Sequence, residues 1–447
     1  MSTIEKHDMT QGKILLPLVS FTIPLVLGNL FQLTYNAADS VIVGKYVGEQ
    51  ALAAVGTSTP IMNIAILLIS GMCMGASVLM SSQYGAKDYD TLSRQISTTM
   101  LAGCGFSVVF SLLMLLLANL RLIRVPETAI PEAAAYLRII FMGLIFTFMY
   151  NFLANTMRAL GDSKTPLYFL VTSAFLNIFG DLFFVVVLRW GVAGSAIATV
   201  CSEGLCCLLC GIYIKKKIPL LCLGKKWWVF DKSLLGKTVS YGSTSAMQQV
   251  CLQLGKLIIQ SVVNTQGVAV MAAFTAVNRV DDFAYTPQQN IGHAMTTFLA
   301  QNKGAGHKER MKKGFQTGLL IELVYSIGLF CVIWGLAPQI MTLFAEDGDA
   351  QVVSLGISYL HLISWMYILP GLTNGVQGFF RGIGDLKVTL YSTFMNMFGR
   401  VVAVFVMIRL LQMEFASLAW ANMVGWIVML LFEVPLLVKS MRNGECG

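Results

Sequence analysis

Polar side chains recur at helical spacing inside otherwise apolar stretches of this chain. Gln32, Tyr35, Asn36 and Asp39 stand at i, i+3, i+4 and i+7, on one face of a helix. Asn151 and Asn155, Asn177 and Asp181, and Ser195 and Thr199 are each spaced i, i+4. A charge at the centre of a bilayer costs about 2.5–3.5 kcal/mol on insertion scales, so such residues turn toward water, a cavity or a partner. Two carboxylates (Asp39, Asp181), an amide oxygen and a hydroxyl make a site for a hard monovalent cation such as Na⁺. The same two carboxylates could instead share a proton, because close acids in a dry pocket do not both stay ionised. At this point the residues leave H⁺ and Na⁺ both open.

The elements that must position these residues are membrane helices. The chain has 447 residues, 56% hydrophobic and only 12% charged, against about 25% charged in soluble proteins. Apolar runs of about 20 residues or more, each long enough to cross a bilayer as a helix, recur from roughly 14–44 to roughly 415–438. Twelve spans are expected, and the ten-residue alternation of a membrane β-barrel is absent. Pro24, Pro60, Pro287 and Pro370 fall inside spans, where each removes a backbone donor and favours a kink. The net charge of +8 does not point to nucleic acid. Its basic residues gather at the termini and in every second loop, as at Lys215–Lys217, Lys225, Lys226, Lys312 and Lys313. The alternate loops are poor in them, and one carries Glu346, Asp347 and Asp349 instead. This is the positive-inside pattern, with both termini cytoplasmic. No cleavable signal peptide is expected. The ten Cys lie mostly within spans and read as small packing residues, and the four His form no ligand group.

The halves of the chain repeat. Arg158-Ala-Leu-Gly161-Asp162-Ser-Lys164 returns as Arg381-Gly-Ile-Gly384-Asp385-Leu-Lys387. Gln83-Tyr-Gly85-Ala86 returns as Gln301-Asn-Lys-Gly304-Ala305, and Asn177-Ile-Phe-Gly180 as Asn396-Met-Phe-Gly399. The expected fold is an all-α membrane protein with 12 transmembrane helices in two pseudo-symmetric six-helix lobes around a central cavity. The lobes are 1–214 and 234–447, joined by a basic cytoplasmic linker, 215–233, with Trp227 and Trp228 at headgroup level. Parallel repeats of this kind are a hallmark of transporters, whose sites lie near the bilayer midplane. In the second half, Gln249, Gln253, Lys256 and Gln260 form a polar stripe, and Arg400 replaces the acid found at Asp181. That half is expected to repel cations; Asp281, Asp282 and Glu322 are candidate partners for Lys256, Arg279 or Arg400. Gln288, beside Pro287, is expected to line the central cavity. The 24 Met and 27 Phe suit a surface that accepts varied apolar or cationic ligands.

These motifs, in order and in register with the spans, resemble the multidrug and toxic compound extrusion (MATE) transporters, and among them the DinF-like branch. The carriers are Asp39-Ser-Val-Ile-Val-Gly44 after the Pro24-bearing first helix, Gln83–Ala86, Arg158–Asp162, Asn177–Asp181 and Gln301–Ala305. The resemblance implies a secondary active antiporter, not an enzyme, that exports organic, often cationic and amphipathic compounds in exchange for H⁺ or Na⁺ by alternating access. It implies a cation site of Asp39, Asn177, Asp181 and Thr199, and a hinge at Pro24. Gln32, Tyr35, Asn36, Asn151, Asn155, Gln249, Gln253, Lys256 and Gln288 are expected to line the substrate cavity. No cofactor beyond the coupling ion, no metal beyond Na⁺ and no nucleic-acid partner is expected; the chain is expected to act as a monomer in the plasma (inner) membrane. A lipid-linked oligosaccharide flippase of the same superfamily is the alternative reading.

Overall fold

The computed structural model describes residues 8–117, 130–218, 228–344, 350–411, 413, 415 and 417–442. Lys225, Lys226 and Trp227 of the linker and the acidic loop Glu346, Asp347 and Asp349 lie outside them. The described residues are helical, with no strand among them. In a bilayer each backbone N–H and C=O must find its partner within the segment, which long helices achieve.

The first half comprises α1 (Leu15–Tyr46), α2 (Glu49–Gly85), α3 (Tyr89–Leu117), α4 (Ile130–Ala159), α5 (Lys164–Asp181) and α6 (Gly191–Lys217). The second comprises α7 (Lys232–Val263), α8 (Val268–Gly304), α9 (Lys308–Phe344), α10 (Ala350–Ser364), α11 (Ile368–Ile383), α12 (Leu386–Val404) and α13 (Ser417–Arg442). A 3₁₀ turn, Trp365–Tyr367, joins α10 to α11, so among the described residues the thirteen α-helices make twelve rods. Ten rods have the length and apolarity of a membrane span. The α7 and α8 rods fall short, because the Gln249–Gln260 stripe and the group Arg279, Asp281 and Asp282 dilute them.

The sequence repeat is a repeat of backbone geometry. Gly161 and Gly384 both adopt left-handed φ, +90° and +86°, and end their helices. Gly161 N–H donates to Arg158 O (2.9 Å) and Asp162 N–H to Met157 O (3.0 Å); Gly384 N–H donates to Arg381 O (3.0 Å) and Asp385 N–H to Phe380 O (2.8 Å). Glycine is suited to this left-handed C-cap. The Asp162 Oδ1 then accepts from Lys164 and Thr165 N–H, both at 3.0 Å, starting α5. A widened π turn follows each repeated Asn-x-Phe-Gly segment: Leu182–Val187 directly after Asp181, and Phe405–Leu410 starting five residues beyond Arg400.

Contacts divide the chain into two compact units. One holds Met1–Asp8 and Ile23–Ala246, the other Met9–Thr22 and Met247–Gly447. Two helices therefore pass from one unit to the other. Helix α1 does so at Thr22/Ile23, one residue before Pro24, and α7 at Ala246/Met247.

In the first unit the core is built on α2, α4 and α6, with Leu137, Phe141, Phe148, Phe152 and Met157 buried together. The first part of α7 lies tightly on α2. A Cβ built at Gly71 would stand 2.6 Å from Ala246 Cα, and one at Gly75 2.4 Å from Tyr241 O. This is a small-xxx-small contact, which lets membrane helices approach backbone to backbone. In the second unit, Val277, Tyr359, Met366, Tyr367 and Ala419 form the core. There the segment before α1 is strapped down by Arg310, whose guanidinium donates to the carbonyls of Met9, Gln11 and Gly12.

Candidate functional site

The first unit gathers Asp39 from α1, Asn177 and Asp181 from α5, and Ser195 and Thr199 from α6. Ser195 Oγ donates to Asp39 Oδ1 at 2.8 Å. Asn177 Nδ2 donates to Thr199 Oγ1 at 3.1 Å, and Thr199 Oγ1 donates to Ser195 O within its helix. Packing of α5 on α6 is tight at Gly180, whose Cβ would meet Ala198 Cβ at 2.9 Å. That close approach is what lets short side chains on the two helices reach one another.

The amide of Asn177 is oriented by its bond to Thr199, which leaves Oδ1 buried without a donor. Asp181 is wholly enclosed, and as a carboxylate neither of its oxygens receives a hydrogen bond. Its neighbour is the Asp39 carboxyl, close enough for one shared proton to bridge the two. Among these groups the unmet valences are all acceptors. A buried charge without compensation is costly, so the cluster calls for positive charge: a proton or a small cation among oxygens.

The remaining first-unit residues surround this cluster less directly. Tyr35 is hydrogen-bonded to Gln32 and lies within electrostatic reach of Asp39 and Glu203. Asn36 is exposed. Asn151 and Asn155 turn back on their own helix, donating to Thr147 O (2.9 Å) and Asn151 O (2.8 Å). Two residues were missed by reading the sequence. Glu203 accepts from Thr147 Oγ1 at 2.6 Å, and it continues the Ser195–Thr199 face by one more i+4 step, so the signal was present. Tyr136 is buried near Asp39 and Asp181, with nothing in its apolar run to distinguish it.

The other named residues belong to the second unit. Gln249 and Gln253 are half-buried. The stripe's neighbour Gln248 is the buried one, donating to Gln377 Oε1 (3.2 Å) and Thr393 Oγ1 (2.9 Å). Lys256 Nζ pairs with Asp282 Oδ1 at 3.6 Å, both about half exposed. Asp281 is buried and accepts from Tyr367 OH (2.6 Å) and Tyr359 OH (3.2 Å), with Arg400 in electrostatic reach. Gln288 is fully buried, donating to Ser326 Oγ (3.1 Å) and Tyr367 O (2.8 Å). Glu322 forms no ion pair among the described residues.

Known proteins resemble the chain over most of its length. The profile of the MatE family matches residues 24–183 and 245–407, one match in each half. The "Probable multidrug resistance protein YpnP" of Bacillus subtilis is 32% identical over 392 residues, covering 87% of this chain and 86% of that protein. The "Probable multidrug resistance protein YoeA" of the same organism is 29% identical, covering 85% and 82%. Among solved structures, an outward-facing multidrug resistance MATE family transporter of the MOP superfamily superposes with a TM-score of 0.91 at 22% identity, covering 100% of this chain and 99% of that one. With its two matched segments spanning well over half of its length, the chain belongs to the MatE family of multi-pass membrane transporters.

Proposed function

We propose that this protein is a secondary active exporter of organic, cationic and amphipathic compounds, driven by inward movement of H⁺ or Na⁺ through alternating access. The observation that carries the reading is Asp181: a sealed carboxylate with no donor, laid against Asp39 and flanked by the free oxygen of Asn177. Such a cluster binds a small cation or a proton and is destabilised when empty, the property an antiporter uses to couple ion and substrate. The Ser195 bond to Asp39 ties the first helix to the sixth. Occupancy of the site can thereby act on the helix that carries Pro24. The names of the two Bacillus relatives support a drug-like substrate. The protein works as a monomer in the plasma membrane with both termini cytoplasmic, in keeping with its basic loops. The flippase reading needs free cationic groups facing a pyrophosphate. Lys256 instead pairs with Asp282, and Arg400 lies within electrostatic reach of the Asp281 carboxylate.

The test is efflux of a fluorescent lipophilic cation from cells and from vesicles with an imposed H⁺ or Na⁺ gradient. Asp39→Asn and Asp181→Asn should each abolish gradient-driven efflux while the protein still reaches the membrane. Wild-type accumulation ratios in either variant would remove that residue from the coupling site, and indifference of the native protein to both gradients would overturn antiport.

A further inference from the structure

The repeat sets Arg400 at the place of Asp181, and the two units leave opposite needs there. At that place in the first unit the buried atoms without partners are oxygens, of Asn177 and Asp181. In the second unit, α12 carries Asn396 and Arg400 one turn apart on one face. Gly425 of α13 lies against both: a Cβ built there would stand 3.1 Å from Arg400 Cβ and 3.4 Å from Asn396 Nδ2. Among the described residues Arg400 enters no ion pair and no hydrogen bond, and the Asn396 amide is likewise uncommitted. The Tyr285 hydroxyl, on α8, is enclosed without a partner, and it lies within electrostatic reach of Arg400. A guanidinium, an amide and a phenol thus each hold a donor with nothing to receive it.

Asp281 is the acid in reach of Arg400, yet its oxygens are already covered. Tyr367 OH donates to Oδ1 at 2.6 Å and Tyr359 OH to Oδ2 at 3.2 Å. Asn422 Nδ2 donates in turn to Tyr359 OH at 2.8 Å. Asp281 therefore steadies the guanidinium without touching it, and the planar fork stays open. Such a fork matches the two oxygens of a carboxylate. Beside it stand the rings of Tyr285 and Trp426, edge to face with centroids 5.9 Å apart and both half-buried. They offer an apolar flank to an aromatic ring. One guanidinium with one acid in reach balances a single negative charge, which fits a carboxylate and not a pyrophosphate.

We propose that Arg400, Asn396 and Tyr285 form an anion subsite in the second unit, which takes the carboxylate of an aromatic, zwitterionic substrate. The proposal rests on the exporter reading above and narrows its substrates to compounds that carry a carboxylate as well as a cationic end.

The experiment titrates the purified full-length protein in lipid nanodiscs with two rhodamines, one bearing a free carboxylate and the other its ethyl ester. Fluorescence anisotropy is read against empty nanodiscs. No gradient is imposed, so the result does not depend on antiport. The native chain should bind the acid more tightly than the ester. Arg400→Gln should weaken the acid about tenfold, the scale of a lost charged hydrogen bond, and leave the ester unchanged or tighter. Tyr285→Phe removes a hydroxyl that has no partner in the fold, so its melting temperature should hold or rise. It should nevertheless weaken the acid and not the ester, and it decides the matter should Arg400→Gln unfold. Equal losses for acid and ester in either variant would overturn the subsite, as would a native chain that prefers the ester or binds neither dye. Acid-selective binding without gradient-driven efflux of either dye would uphold the subsite and overturn the exporter reading.

Discussion

Gly75→Ala should loosen the first unit, because the added methyl has no space. Its Cβ would lie 2.4 Å from Tyr241 O, 2.5 Å from Tyr241 C and 2.6 Å from Gly242 N. An ordinary carbon–oxygen contact is about 3.3 Å or more, so α2 and α7 must separate by about 0.9 Å. The obstacle is helix backbone, which cannot rotate aside as a side chain does. Overpacking of this sort costs about 1–3 kcal/mol. At about 2–4 °C per kcal/mol for a unit of this size, the melting temperature should fall by roughly 2–12 °C. The assay is thermal unfolding in detergent, followed by a dye that fluoresces on reacting with newly exposed thiols; Cys73, free and buried on the same helix, is a built-in reporter. Gly105→Ala is the control, because nothing lies within 4 Å of its added Cβ. Relief of glycine's backbone entropy should leave that variant unchanged or raised by about 0.5–1 kcal/mol. Equal melting of Gly75→Ala and Gly105→Ala would refute the claim that α7 is seated on α2 through this glycine.

The other expectations concern the hinge and the second-unit charges. Pro24→Ala restores a backbone donor to the Ser20 carbonyl and stiffens α1. Turnover in reconstituted vesicles should slow while substrate affinity changes little, and unchanged turnover would count against bending there. Arg400→Gln should destabilise the fold by less than about 1 kcal/mol, as expected for charges in reach but not in contact, and Asp281→Asn on top should cost less than in the native chain. A double-mutant cycle with no coupling would show that Arg400 does not serve Asp281.

The twelve rods and their repeat were legible because they rest on local signals: runs of apolar residues, and the Gly-Asp turn that ends one helix and starts the next. The Asp39 and Asp181 faces were legible for the same reason, since a charge in an apolar run is conspicuous. What the sequence could not reveal was which acid meets which partner. Ser195 reaches Asp39 across 156 positions, and Tyr367 reaches Asp281 across 86. The solitary state of Glu322 depends on where Arg400 and Lys256 end up, which is set by packing. The π turns after Asp181 and beyond Arg400 are also tertiary in origin, since Leu, Phe, Val, Met and Ile form either kind of turn. Pro370 signalled a disturbance, but the 3₁₀ turn falls just before it.

The passage of α1 and α7 between units has a consequence for the chain's heredity and for cutting it. Residues 9–22 pack with the second unit and 232–246 with the first, and the two segments stand at corresponding places in the repeat. Each half has thus lent its opening segment to the other, which is the topology of a swapped dimer fused into one polypeptide. Cleavage within 219–227 would leave two fragments, each holding a segment whose packing partners are on the other. Neither fragment is a free-standing domain. Two fragments made in the same cell have a reciprocal reason to find each other, because each carries a segment that packs with the unit the other supplies.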